Sequence, residues 1–172
     1  MNMKILSTDE ACSILGTKSL SGFVDSLSDR LPHRLAVYSI PADSGAKCSL
    51  AKLLRDLLFS ESPIFIYVTG WGVWPSSENL DLFDGYRRSL GEERPLELVP
   101  VHLFETSDKS AFVSILSMAL YFVWDVEVFD ERGTVLVTFS HDEWMEIKAG
   151  SSDVAGLLST GLDSMELELP RA

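Results

Sequence analysis

The sequence predicts a single α/β domain, a three-layer αβα sandwich built around a mixed sheet of four or five strands. Five leucines have the i, i+3, i+4, i+7, i+8 spacing of one buried helical face: Leu50, Leu53, Leu54, Leu57 and Leu58. Residues 64–69 are apolar at nearly every position, which is typical of a strand covered on both faces. Helical and strand patterns alternate through this region, which favours right-handed crossovers and parallel pairing in the centre of the sheet.

Two helices are predicted in the N-terminal segment, residues 1–31, which we expect to pack on the domain. Ser7 and Glu10 have the spacing of a capping box for the first helix, and Gly16 is expected to end it. The second helix is expected over residues 20–29, because a leucine followed by proline then stops the helical pattern.

Further elements follow in an alternating order. The expected ones are a strand at 34–40, a helix that runs to about Leu90 and a deeply buried helix that begins at Ser107 or Asp108. Residues 121–140 alternate in polarity on both sides of a turn, which predicts a C-terminal antiparallel hairpin that closes the sheet. Residues 140–148 are expected to form a short helix or turn.

The length and the charge of the chain limit its organisation and its partners. We place one domain at residues 1–149 and an acidic tail at 150–172. The formal net charge is −12, and residues 121–172 hold 11 acidic and three basic groups. This balance opposes binding to nucleic acid or to an anionic membrane, because phosphate neutralisation needs clustered Lys and Arg. The acidity either keeps the protein in solution or forms a docking surface for a basic partner.

The cysteine and hydropathy patterns predict a cytoplasmic protein. Cys12 and Cys48 lie far apart and outside any CxxC motif, so we expect free thiols in a reducing compartment. The N-terminal segment has no apolar core long enough for a signal peptide, and the longest apolar stretch, residues 111–124, is shorter than a membrane span. No motif predicts a metal or a cofactor.

The four residues from Ser140 to Glu143 place a hydroxyl, an imidazole and two carboxylates together. One interpretation is structural, because Ser140 and Glu143 have capping-box spacing and acidic residues suit the first turn of a helix. The other interpretation makes His141 a ligand or an acid–base group that is helped by Asp142 or Asp125.

The loop that follows the buried strand is a second candidate, since open α/β sheets bind ligands at the carboxyl ends of parallel strands. Trp71 and Trp74 in this loop offer stacking faces, although both indoles are equally suited to covering the edge of the core.

Three arginines and a histidine farther along the chain leave similar alternatives open. Arg87, Arg88 and Arg94 either hold an anionic ligand near the loop or pair with surface carboxylates. His102 is either an acid–base group or a structural histidine.

Four short motifs together resemble those of a family of uncharacterised bacterial proteins. They are GVWPSSEN at 72–79, PVHLF at 100–104, WDV at 124–126 and SHDE at 140–143. The resemblance covers roughly residues 35–147 and implies a bacterial, cytosolic origin with no established activity. It also implies that the loop, His102, Trp124 with Asp125, and the SHDE motif share one surface. In that family a glycine often precedes the Trp-Asp pair, where this chain has Val123.

Two classes of function are compatible with these features. The first is a non-catalytic protein-binding module whose acidic C-terminal third docks a basic partner, as an immunity protein docks a nuclease toxin; this class rests on fold-level analogy. Its expected contact residues are Asp125, Glu127, Asp142 and Glu143.

The second class is a small-molecule-binding protein or an enzyme with an aromatic cleft around Trp74, His102 and Trp124. The expected ligand-binding residues are Trp71, Trp74, Asn79 and Trp124. In this class His102 or His141 is the acid–base group, and Asp125 orients it.

Overall fold

Eight strands in one sheet, six α-helices and a short 3-10 helix make up the part of the chain that the structure describes. This computed structural model describes residues 3–59, 62–72, 77–165 and 167, with only the backbone described at 77–79. The helices are α1 (Thr8–Leu15), α2 (Leu20–Arg30), α3 (Ser44–Leu58), α4 (Ser77–Ser89), α5 (Lys109–Tyr121) and α6 (Ser152–Asp163). The strands are β1 (Lys4–Leu6), β2 (His33–Arg34), β3 (Tyr38–Ser39), β4 (Ile64–Gly70), β5 (Val101–Phe104), β6 (Asp125–Asp130), β7 (Val135–Ser140) and β8 (Trp144–Ala149).

The α/β class is confirmed, but the predicted sheet is wrong in size and in strand direction. The strands lie in the order β1-β5-β4-β6-β7-β8-β2, and β3 also pairs with β8, so the sheet has eight strands instead of four or five. Every pairing between described strands is antiparallel. The error has a physical reason: an apolar run shows that a strand is covered on both faces, and antiparallel strands between two helical layers meet the same condition.

The predicted C-terminal hairpin is confirmed as β6 and β7, yet it lies in the middle of the sheet and does not close it. β8 continues from β7 as a third antiparallel strand, where a short helix or turn was expected at 140–148. Met145, Ile147 and Ala149 of β8 are buried and alternate with less buried residues. This period of two is the strand signal, and the helix-cap spacing of the preceding residues competed with it.

Three very short strands also depart from the prediction. β1 was not expected, and the strand expected at 34–40 consists of β2 and β3, which pair separately with β8. Strands of two or three residues carry too little alternation to be recognised in a sequence, because a period of two needs at least four residues to be distinguished from chance.

Helices cover both faces of the sheet, and the alternation of β4 shows how. Ile64, Ile66 and Val68 face a core that includes buried side chains of α3, α5 and α6. Phe65 and Tyr67 face a second core, to which α1 and α2 contribute. Each fully buried leucine of the predicted stripe contributes about 2 kcal/mol through apolar burial. No helix within the described ranges is long and apolar enough to cross a membrane.

The predicted first helix is confirmed in detail. The Ser7 hydroxyl accepts the Glu10 backbone N–H at 3.2 Å, and the Glu10 carboxylate accepts the Ser7 N–H at 2.6 Å. Gly16 ends α1 with a φ of 64°, a left-handed conformation that glycine adopts without steric cost.

The last helix, α6, lies within residues 150–172, the segment predicted to be an acidic tail. In α6, Leu158 and Leu162 are buried in the same core as α3 and α5. The Ser151 hydroxyl caps the helix by accepting the Val154 N–H at 3.3 Å.

The junction between α5 and β6 contains a residue in an unfavourable backbone conformation. Val123 has a φ of 58°, where a β-branched side chain is strained. The backbone N–H of Trp124 donates to the Ala119 carbonyl at 3.0 Å and so ends the helix. A glycine suits this position better than valine does, because glycine adopts a positive φ without steric cost.

We expect Val123→Gly to raise the free energy of unfolding by about 0.5–1 kcal/mol. It relieves left-handed strain of about 1–2 kcal/mol, and the greater entropy of the unfolded glycine chain offsets part of that gain. Urea denaturation of the purified variant measures the difference. Val113→Gly, within α5, is the matched control and should destabilise the protein. A clear loss of stability in Val123→Gly would show that the junction is not strained.

Candidate functional site

Three strands bring most of the predicted polar residues to one end of the sheet. β4 ends at Gly70, which pairs with Asp125 at the start of β6 across an irregularity in register. β7 ends at Ser140, which pairs with Trp144 at the start of β8. The end of β4, the start of β6 and the β7–β8 turn therefore lie side by side.

The carboxylate of Asp125 holds both the backbone and the ring of His141. The His141 backbone N–H donates to Asp125 Oδ1 at 2.9 Å, and His141 Nδ1 lies 2.9 Å from each carboxylate oxygen. Because an ionised carboxylate only accepts hydrogen bonds, we assign the Nδ1 proton to this contact. The hydrogen bond from the ring to Asp125 raises the pKa of His141, and the charges of Asp125 and Asp142 raise it further. The ring is thus oriented by its Nδ1 side, and Nε2 lies 3.6 Å from Asp142 Oδ1.

Gly70 allows the Asp125 carboxylate to approach the backbone of β4. A Cβ atom added at Gly70 would lie 2.6 Å from Asp125 Oδ2, which is closer than van der Waals contact permits. The absence of a side chain at Gly70 is therefore a condition for the position of Asp125, and through Asp125 for that of His141.

The β7–β8 turn has the Ser140 hydroxyl at its centre, so the interpretation of residues 140–143 as a helix cap is wrong. The backbone N–H groups of Asp142 and Glu143 donate to Ser140 Oγ at 3.2 Å and to the Ser140 carbonyl at 3.0 Å. Glu143 has a φ of 59°. The same local hydrogen bonds form in helix caps and in tight turns. Because residues 140–143 are followed by the strand β8, they form a turn. The side chains of Asp142 and Glu143 are 72% and 57% exposed.

Glu127 lies on the same strand as Asp125 and is largely buried. Its Oε2 accepts a hydrogen bond from Thr138 Oγ1 at 2.7 Å. Burial raises the pKa of Glu127 to about 7; the Thr138 hydrogen bond opposes the shift, and the charges of Asp125, Asp25 and Glu146 add to it. The neighbouring carboxylates therefore add to the effect of burial on Glu127.

We call this region the acidic end of the sheet. It consists of Glu127 with Asp25, Asp125 and Glu146 near it, and of Asp142 and Glu143 in the adjoining β7–β8 turn. Its cations lie mostly around Glu146, which pairs with Arg34 and lies 3.8 Å from Lys148 Nζ. Lys47 Nζ is 4.0 Å from Glu143, and Asp142 has His141 as its neighbour. The six carboxylates outnumber Arg34, Lys148 and Lys47, so the acidic end has an excess of negative charge.

The predicted aromatic residues pack against one another and leave no open cleft among the described side chains of this cluster. The Trp71 and Trp124 rings lie 4.9 Å apart in an edge-to-face arrangement, and only 2% of Trp124 is exposed. The ring centroid of Phe83 of α4 lies 5.0 Å from that of Trp124 and 5.7 Å from that of His102. The Phe83 ring therefore fills the space between the two. Trp74 lies outside the described residues, as does the side chain of Asn79.

His102 is fully buried in β5, on the face that packs against α4. Neither ring nitrogen has a hydrogen-bond partner of good geometry in the described part of the chain. Burial lowers the pKa of His102 to about 3, the charge of Arg87 lowers it too, and the Ile66 backbone acts in the opposite direction. A neutral imidazole that is inaccessible to solvent is poorly suited to general acid–base catalysis near pH 7.

Two buried cations were not predicted. Arg87 is 1% exposed and donates to Asp84 Oδ1 at 3.0 Å and to the Arg94 carbonyl at 2.7 Å. Lys47 is 7% exposed, and its Nζ donates to the Leu120 carbonyl at 2.9 Å. Neither burial has a signal in the sequence, because both residues stand on helices whose polar positions normally face solvent. Arg94 forms ion pairs with the carboxylates of Glu10 and Glu92. Pairing with carboxylates is one of the two alternatives considered for the three arginines.

Comparison with protein-family models, with curated proteins and with solved structures finds no match to this chain. The resemblance to a bacterial family therefore stays a prediction. Within the described residues, no group of three or more His, Cys, Asp or Glu side chains is placed to hold a metal ion.

We expect Asp125→Asn to lower the pKa of His141, because the neutral amide no longer favours the imidazolium. A His pKa raised by folding contributes stability below the unfolded-state pKa, and that stability is lost as the pH rises through the folded-state pKa. The variant should therefore lose stability relative to the wild type mainly at acidic pH. NMR titration of the His141 ring measures the pKa. Asp142→Asn, 3.6 Å from Nε2, is the control and should give a smaller change. Equal shifts in the two variants would contradict the role given to Asp125.

Proposed function

We propose that this protein is a non-catalytic binding module that docks a basic partner protein at its acidic end, in the manner of an immunity protein. The observation that carries the proposal is the environment of Glu127: burial raises the pKa of this carboxyl to about 7, and the charges of Asp125, Asp25 and Glu146 add to the shift. A carboxyl group whose ionisation is disfavoured gains from the approach of a cation, and cationic side chains of a partner would supply that charge.

The exposed part of the acidic end favours a protein partner over a single ion. Asp142 and Glu143 project from a turn that the Ser140 hydroxyl and carbonyl hold in place. Backbone that is fixed before binding costs less entropy to order. Exposed charge pairs contribute only about 0.2–1 kcal/mol each, so tight binding would need several pairs together with the less exposed Glu127.

The raised pKa of Glu127 also gives the proposal a pH signature. At pH 7 this carboxyl is about half protonated, since its pKa is about 7. A cationic partner favours the ionised form, so docking would release protons from Glu127. Affinity would consequently rise between about pH 6 and pH 8, the range over which this group ionises.

A second candidate function, binding or turnover of a small molecule, is favoured by the Asp125–His141 contact. A histidine oriented through Nδ1 by a carboxylate presents Nε2 for proton transfer near neutral pH. The exposed fraction of the His141 side chain, 37%, leaves it accessible. The role proposed for His102 has less support, because that ring is buried and separated from Trp124 by Phe83. A thermal-shift screen of metabolites and metals tests this candidate, and stabilisation by one of them would favour it over docking.

The docking proposal predicts that Asp142→Asn/Glu143→Gln weakens capture of a basic protein roughly tenfold, which corresponds to about 1.4 kcal/mol. The tagged wild type is expected to retain the basic protein from native lysate at low salt and to release it as salt screens the charges. Calorimetry with the captured protein at pH 6, 7 and 8 gives the affinities.

The matched control is Glu131→Gln/Asp153→Asn, which removes the same charge from exposed positions away from the acidic end. It should bind the partner as the wild type does. Capture of no basic protein, or equal loss of binding in both double variants, would contradict docking at the acidic end.

A further inference from the structure

We infer that a groove between α3, α4 and α5 binds a small anionic amphiphile, a monocarboxylate with an aliphatic or aromatic body. The groove has a volume of about 600 Å³, which is within the usual range of small-molecule sites. Its position differs from that of the predicted aromatic cleft, and the inference does not depend on the docking proposal.

Apolar side chains form most of the groove. Leu82, Met118, Tyr121 and Phe122 line it. Leu82 of α4 is 62% exposed, and Tyr121 of α5 is 58% exposed. Two large apolar side chains that line the groove therefore face solvent. Contiguous exposed apolar surface with a polar rim is typical of ligand-binding grooves. Such walls suit the hydrocarbon body of a ligand.

The charged group in the groove is Lys47 of α3. Its side chain is 8% exposed, and its Nζ donates to the Leu120 carbonyl at 2.9 Å. An ammonium has three N–H donors, and a neutral carbonyl offsets only part of the cost of removing the charge from water. Glu143 Oε1 is 4.0 Å away and belongs to a largely exposed side chain, so it gives little compensation. A carboxylate in the groove would supply the missing counter-charge.

The other polar residues of the groove are also hydrogen-bond donors. Ser117 Oγ is buried without a hydrogen-bond partner among the described residues, and Ser44 lies at the start of α3. The first turn of a helix carries a partial positive charge. No carboxylate belongs to the described lining. A lining of hydrogen-bond donors and hydrocarbon selects a ligand with an anionic head and an apolar body.

Decanoate is a suitable probe, and decan-1-ol is its uncharged counterpart. Titration calorimetry with the full chain should show saturable binding of one decanoate, with decan-1-ol at least tenfold weaker. Lys47→Met should weaken decanoate at least tenfold and change the affinity for decan-1-ol less than twofold, because it removes the charge and keeps the length of the side chain.

Leu82→Glu provides a second variant that does not depend on the folding of Lys47→Met, since Leu82 is exposed. It places a negative charge on the wall and should weaken decanoate at least tenfold. Leu98→Glu, at a residue 60% exposed and outside the groove, should bind decanoate as the wild type does.

The inference would be overturned by the absence of saturable decanoate binding, by equal affinity for decanoate and decan-1-ol, or by equal effects of the two leucine variants. Concentration-dependent dimerisation that Leu82→Glu abolishes would also overturn it, because the groove would then be covered by a second copy of the chain.

Discussion

The carboxylate of Asp125 accepts the backbone N–H of His141, contacts its ring and packs against Gly70. These contacts join the ends of β4, β6 and β7, three neighbouring strands in the middle of the sheet. The β7–β8 turn follows directly, so the positions of Asp142 and Glu143 depend on the same carboxylate. A single side chain therefore links the order of the central strands to the arrangement of the acidic end.

The environment of Glu127 is one consequence of that arrangement. Burial raises the pKa of Glu127, and the charges of Asp125, Asp25 and Glu146, which folding brings near it, add to the effect. A carboxyl group whose pKa is raised by folding contributes stability below its unfolded value of about 4.5 and loses it as the pH rises through about 7. Folding thus places Glu127 where its ionisation costs stability. The docking proposal explains this cost, because a basic partner would offset it.

The local features of the fold could be predicted from sequence, and the global ones could not. The Ser7 capping box, the leucine stripe and the β6–β7 hairpin depend on residues close in the chain. Strand direction and the position of β8 depend on contacts distant in sequence, about which periodicity says nothing. The site shows the same division. Asp125 and His141 stood out by their chemistry, whereas the burial of Lys47 and His102 arises from tertiary packing and leaves no local signal.

The central claim is that burial, together with the nearby charges of Asp125, Asp25 and Glu146, raises the pKa of Glu127 to about 7. The most direct test is the pKa of the Glu127 carboxyl, measured by carbon-13 NMR titration in the wild type and in Asp125→Asn. The account predicts a value of about 7 in the wild type and a lower value in the variant, since one of the neighbouring charges is removed. A wild-type value near the ordinary 4.5, or a value that Asp125→Asn leaves unchanged, would contradict it.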